Sequence, residues 1–206
     1  MVSEKKLKLY MEERVIPLLH QANDILRKKF RSAFSLRFGE PQMSSTYYEF
    51  SLDIYPASPK WNGEKVGRFS LVRWYEWRLS FYFHDKWDCV YFRTNRDELR
   101  REFMPFALAS YAYVWSNILI PLDKLLHIPP TGLLDVRFSY ENSLPSISIR
   151  KSGKEGLSVT VVFQTDGCWV SISLYEKSIQ KFVPYGDDYF ADIIPTFANF
   201  ILLSTV

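Results

Sequence analysis

Three short stretches of the chain repeat one another. Glu13-Arg14-Val15-Ile16-Pro17, Arg101-Glu102-Phe103-Met104-Pro105 and Ala191-Asp192-Ile193-Ile194-Pro195 each combine a polar residue, two bulky apolar residues and a proline, and the prolines lie 88 and 90 residues apart. Similarity at a fixed spacing restricts the fold more than composition does, because each period then forms the same supersecondary unit. The match extends beyond the prolines. A shift of 91 sets LSFYFHDK (79–86) on VSISLYEK (170–177), and a shift of 90 sets 91–105 on 181–195, with Phe92 on Phe182 and Asp97 on Asp187. Identity is low and the agreement is one of polarity.

The repeated prolines fall in helix-like segments. In residues 3–31, Leu7, Met11, Val15, Leu18, Ala22 and Ile25 step by three or four, which gathers the apolar residues on one face. Pro17 predicts a kink or break, since it lacks an N–H and its ring crowds the carbonyl of Glu13. The segment ends on the basic run RKKFR, where cations oppose the helix macrodipole favourably. A second helix is expected over 95–127. Asn95 and Glu98 have capping-box spacing, Asp97 adds negative charge to the first turn, and Pro129, Pro130 and Gly132 stop it. Residues 103–122 are twenty positions without a charge, about the length of a membrane span. Pro105, Pro121, Asn117, two serines and two tyrosines keep this stretch only moderately apolar, so a buried core helix kinked at Pro105 is the better reading. A last helix is expected over 187–203, capped by Asp187 or Asp188.

Strand-like runs fill the intervals: 33–39, 46–55, 66–84 and 89–93, then 133–140, 146–150, 157–164, 168–175 and a short run to Val183. Residues 56–65 read as a loop, and KSGKEG and TDG as turns. The run 66–84 is too long for one strand at about 3.3 Å per residue in a domain of this size. The repeat places the missing turn, since TDG at 165–167 falls on Trp74, Tyr75 and Glu76. Short turns between strands imply antiparallel pairing. The expected fold is therefore α+β: antiparallel sheets with three helices, pseudo-duplicated as α-β4-α-β4-α around a central apolar helix. One unit of two similar halves is expected, with 1–94 and 95–186 as the halves and 187–206 as the closing helix.

Only at this point does composition matter. Aromatic residues make up 17% of the 206 residues, an excess that either fills a core or supplies contact surface. A net charge of +3 is weak for a duplex-DNA binder. Cys89 and Cys168 are far apart with no CxxC spacing and read as two free thiols in a reducing cytoplasm, and the charged N-terminal stretch is not a signal peptide.

The sharpest local anomaly is the expected hairpin tip. Such tips carry Gly, Asn or Asp. This one reads Arg73, Trp74, Tyr75, Glu76, Trp77, Arg78. Trp, Tyr and Arg are enriched at binding hot spots, and exposed rings would also stack on bases of single-stranded nucleic acid. Arg27, Lys28, Lys29 and Arg31 form a second basic candidate for nucleic acid or anionic lipid, against a solvated helix end. His20, His84 and His127 fall in no metal-binding or protease spacing. His84 with Asp85 and Asp88 is the nearest approach to an acid–base cluster, and its counterpart Tyr175-Glu176-Lys177 argues for a polar strand end. There is no GxSxG elbow and no glycine-rich phosphate loop. The leading expectation is a non-enzymatic cytoplasmic protein that binds another protein through the aromatic hairpin, as inhibitor, immunity factor or chaperone, with no cofactor, metal or membrane partner. A single-stranded nucleic-acid binder using the same hairpin is the second expectation. An enzyme or small-ligand protein with a sheet–helix pocket is the third.

Overall fold

The computed structural model describes residues 9, 12–13, 16–39, 42–43, 48–56, 67–73, 77–83, 86–93, 103–126, 134–151 and 156–204. The first helix, α1, runs over Ile16–Asp24 and continues into a π turn over Ile25–Lys29. Helical structure is also described upstream, at Leu9 and in a π turn at Glu12 and Glu13, and Pro17 is the second residue of the segment from Ile16. Leu19, Ala22 and Leu26 form the buried stripe; of the residues picked by the sequence spacing Ala22 belongs to it, whereas Leu18 and Ile25 are half-buried beside it. The helix closes with wide turns: Ser32 N–H donates to the Leu26 carbonyl six residues back at 2.9 Å and Phe30 N–H to the Ile25 carbonyl five residues back at 3.0 Å. Arg31 takes the left-handed position (φ 52°) that glycine usually fills.

The strands that follow are β1 (Phe34–Phe38), β2 (Gln42–Met43), β3 (Tyr48–Pro56), β4 (Gly67–Arg73), β5 (Trp77–Phe83) and β6 (Lys86–Arg93). They form one antiparallel sheet in the order β1-β3-β4-β5-β6, with the short β2 beside β3. The expected run 66–84 does divide, with the reversal between Arg73 and Trp77. Leu36 and Ile54 face each other across β1 and β3, and both are buried. The alternating register separates an apolar row such as Leu52, Phe69, Phe81 and Val90 from a polar row of Ser51, Ser70, Ser80 and Tyr91.

The central helix, α2, has three segments: an α-helix over Phe103–Val114, a π turn over Trp115–Leu119 and an α-helix over Ile120–Leu126. Pro105 is the third residue of the described segment, and the residues before Phe103, on which the expected kink depends, lie outside those described. An irregularity, the π turn, ends two residues before Pro121. Proline cannot donate to the carbonyl four residues back and its ring clashes with it. The widened turn accommodates that, with Ile120 N–H bonded to the Trp115 carbonyl five residues back. Buried residues surround the whole of α2 between Ala107 and Ile118, as expected for a core helix. Among the described residues no helix is long and apolar enough to cross a membrane. The capping residues expected for this helix, Asn95, Asp97 and Glu98, lie outside the described residues.

The second sheet holds β7 (Leu134–Glu141), β8 (Leu144–Lys151), β9 (Ser158–Phe163), β10 (Gly167–Leu174) and β11 (Lys177–Pro184), paired antiparallel in chain order. Asn142 and Ser143 join β7 to β8 with positive φ at both positions, the requirement of a two-residue type I′ turn. Alternation is clean on β9, where Val159, Val161 and Phe163 are buried and the residues between them are half-buried. The closing helix, α3, spans Phe190–Ser204.

Among the described residues the protein is thus α+β, with three helices and two antiparallel sheets. Among the described residues the first sheet has six strands where four were expected, and the second has five, within the four to five expected for that half. β6 runs beside β7, so the last strand of one sheet neighbours the first strand of the other. One continuous core joins everything: Leu36 and Ile54 from the first sheet, Val161 and Val170 from the second, and buried residues from all three helices.

Candidate functional site

The aromatic hairpin comes first. β4 and β5 end with Arg73 opposite Trp77, and Tyr48 of β3 continues the same row. Arg78 lies one step along, in the row of Val72 and Arg93. Successive strand residues alternate between sheet faces. Arg73 and Trp77 therefore take register positions on the apolar face, and Arg78 takes one on the polar face. Trp74, Tyr75 and Glu76 lie outside the described residues.

The basic helix end is engaged within the chain. Arg27 Nη2 and Lys28 Nζ each lie 3.3 Å from a carboxylate oxygen of Asp24. Lys29 Nζ sits 4.7 Å from the centroid of the Phe106 ring, a cation–π contact, and partial burial lowers its pKa. Arg31 is exposed. Three of the four candidate cations thus have intramolecular partners. Exposed pairs of this kind contribute at most about 1 kcal/mol, so Arg27 and Lys28 remain able to exchange partners.

Of the histidines, His20 is exposed on α1, whereas His84 and His127 lie outside the described residues, as does Asp85. Cys168 is a buried free thiol whose pKa burial pushes up to about 12, so it is not a nucleophile near neutral pH. Among the described residues no group of three or more His, Cys, Asp or Glu could hold a metal ion.

Two features emerge that the sequence did not single out. The first is a polar junction at Asp187. Its carboxylate accepts hydrogen bonds from the Ala33 backbone N–H, from the Ser32 hydroxyl at 3.4 Å and from the Asn117 amide at 3.0 Å. Asp187 was expected to cap the last helix. Its side chain instead ties the start of β1 to α2, and only its carbonyl meets the helix, accepting from Phe190 N–H at 3.4 Å. Burial raises the Asp187 pKa, against which its three hydrogen bonds pull downward. Beside it, Tyr113 donates to the Gly186 carbonyl and Tyr185 to the Gln164 carbonyl, and burial raises both phenols.

The second is a cleft of about 350 Å³ between α1 and β1. His20, Asn23, Asp24 and Arg27 line it from the helix, and Ser32, Phe34 and Ser35 from the chain that enters β1. Asn23 builds its floor: its amide donates to the Leu36 carbonyl at 2.9 Å and accepts from Leu36 N–H at 2.7 Å. A side-chain amide thereby pairs with the outer edge of β1 as a neighbouring strand would. Ser32 is also committed, accepting from Phe34 N–H at 3.1 Å while donating to Asp187. The usable sequence signal for this cleft was the His20, Asp24, Arg27 spacing of four and three, which places all three on one helix face. The serines carried no signal of their own.

No family model matches the chain, and no curated protein or solved structure matches it either.

Proposed function

We propose that this is a non-enzymatic protein that binds another protein, in an inhibitor, immunity or chaperone-like role within the cytoplasm. The observation that carries the reading is apolar exposure on two packed helices. The final segment of α2 packs against α3. There Leu125 and Leu202 are each 52% exposed and Leu203 76% exposed. Single exposed leucines are ordinary, whereas three on adjoining helices supply the apolar centre that protein contacts need. The β4–β5 hairpin, with Arg73, Trp74, Tyr75, Trp77 and Arg78, forms the second part of the proposed contact. The nucleic-acid alternative has less support, because the net charge of +3 is weak and Lys29 is turned onto the Phe106 ring.

The proposal includes a duplicated architecture. β6 (Lys86–Arg93) and β11 (Lys177–Pro184) are offset by 91 residues at both ends, each sheet continues in chain order, and each precedes a proline-bearing helix. Each sheet also carries a central hydroxyl row, Ser51-Ser70-Ser80 in one and Ser148-Thr160-Ser171 in the other.

Affinity capture with in-cell crosslinking tests the reading. One dominant partner is expected, crosslinked to α3 or the hairpin and lost in Leu203→Asp or Trp74→Ala/Trp77→Ala variants that keep wild-type thermal stability. Equal capture by folded variants of both kinds would sink it.

A further inference from the structure

We infer that the cleft between α1 and β1 is a binding site for a small ring-bearing phosphate monoester. The cleft is at the lower end of the size range of small-molecule sites. Sorting its lining by hydrogen-bond commitments decides what it can hold. Asn23 spends both ends of its amide on Leu36, and Ser32 spends its hydroxyl on Phe34 and Asp187. These bonds hold both side chains in place and leave each only part of its hydrogen-bonding capacity. The remaining side chains are His20, Asp24, Arg27, Phe34 and Ser35.

Two charged groups line the cleft, Asp24 and Arg27, and Lys28 meets the same carboxylate from outside the lining. The single carboxylate of Asp24 faces two cations, Arg27 and Lys28, each at 3.3 Å. Asp24 contacts only one guanidinium nitrogen, Nη2, which leaves Nη1 and Nε of Arg27 to donate. The planar Arg fork suits an oxyanion, and the Ser35 hydroxyl across the cleft and the His20 ring one turn earlier supply further donors. Three donor groups drawn from two elements surround a tetrahedral group with three oxygens better than a flat carboxylate with two. The half-buried Phe34 ring gives the apolar wall against which a planar substituent would lie. The site is rigid where it matters: Asn23 fixes α1 to β1, and Asp187 fixes the Ser32 turn. This inference does not depend on the protein-binding surface, whose residues lie elsewhere.

Titration of ¹⁵N-labelled protein with phenyl phosphate, benzoate and inorganic phosphate tests it. Phenyl phosphate is expected to move the amide signals of Asn23, Phe34 and Ser35 saturably. Benzoate and inorganic phosphate should each reach half-saturation at about tenfold higher concentration, the loss of one charge-assisted contact or of the ring wall. Arg27→Gln, at a side chain 75% exposed and so outside the core, should weaken phenyl phosphate by about tenfold or more while leaving the remaining spectrum in place. Non-saturating shifts spread over surface lysines, benzoate binding as tightly as phenyl phosphate, or an unchanged Arg27→Gln variant would each overturn the assignment.

Discussion

Asp187 concentrates the chemistry of the described structure in one side chain. Because burial raises its pKa above the ordinary value of 3.8, the folded state holds a proton in a window where the unfolded chain has released it. Folding then takes up a proton, so the stabilising contribution is complete below the unfolded value and is lost as pH rises through the folded one. Denaturant titrations of wild type and Asp187→Asn should therefore show wild type losing ground to the variant as pH climbs from about 3.8 towards neutrality. A difference that grows in favour of wild type over the same window would mean that the hydrogen bonds to the carboxylate outweigh its desolvation. Gly167 makes a different point. A Cβ there would lie 2.4 Å from the Val183 carbonyl oxygen and 2.6 Å from the Phe182 ring. Both belong to the neighbouring strand, so Gly167→Ala should cost about 1–3 kcal/mol in urea unfolding. The glycine read from sequence as a turn residue is kept for close strand approach.

At the scale of elements, the join between α1 and β1 rests on Asn23. An edge strand exposes unpaired backbone groups, and native proteins cover them. Here one amide satisfies both groups of Leu36. Asn23→Ala leaves a donor and an acceptor unpaired in a half-buried position, at a cost of about 2 kcal/mol. Hydrogen exchange at the Leu36 amide should accelerate with it, and an unaltered exchange rate would show that another group takes over the edge. The π turn in α2 has a comparable local cause in Pro121. It shifts the helix register by one residue, so Trp115 through Ile118 remain buried in succession.

For the whole molecule, the decisive feature is that the core is shared. Phe30 closes α1, is fully buried, and its ring centroid lies 5.0 Å from those of Tyr113 and Tyr185 and 5.4 Å from that of Phe163. One side chain thus joins the first helix to α2, to the second sheet and to the segment before α3. Phe30→Ala should cost about 3–5 kcal/mol. Unfolding should be a single transition in which far-UV circular dichroism and tryptophan fluorescence coincide, in wild type and variant alike. Two separated transitions would mean that the sheets unfold independently.

The sequence by itself determined the element types. Period-two and helical spacings give strands and helices directly, because they report which side of an element is buried. Three helices, antiparallel sheets and the buried central helix were legible this way, and the repeat placed the reversal between Arg73 and Trp77. Local chemistry was read less well. The π turn of α2 answers to Pro121, which the sequence reading had not marked as an irregularity. The aromatic hairpin looked like one surface, yet alternation assigns Trp77 and Arg78 to opposite faces. The cleft and the Asp187 junction were invisible, and for a physical reason. Asp187 lies 155 residues from Ser32 and 70 from Asn117. A polar residue's partners at such separations are set by how elements pack, which no local pattern encodes. Only the tertiary structure could turn an expected helix cap into a buried clasp, and a solvated basic helix end into one wall of a cleft.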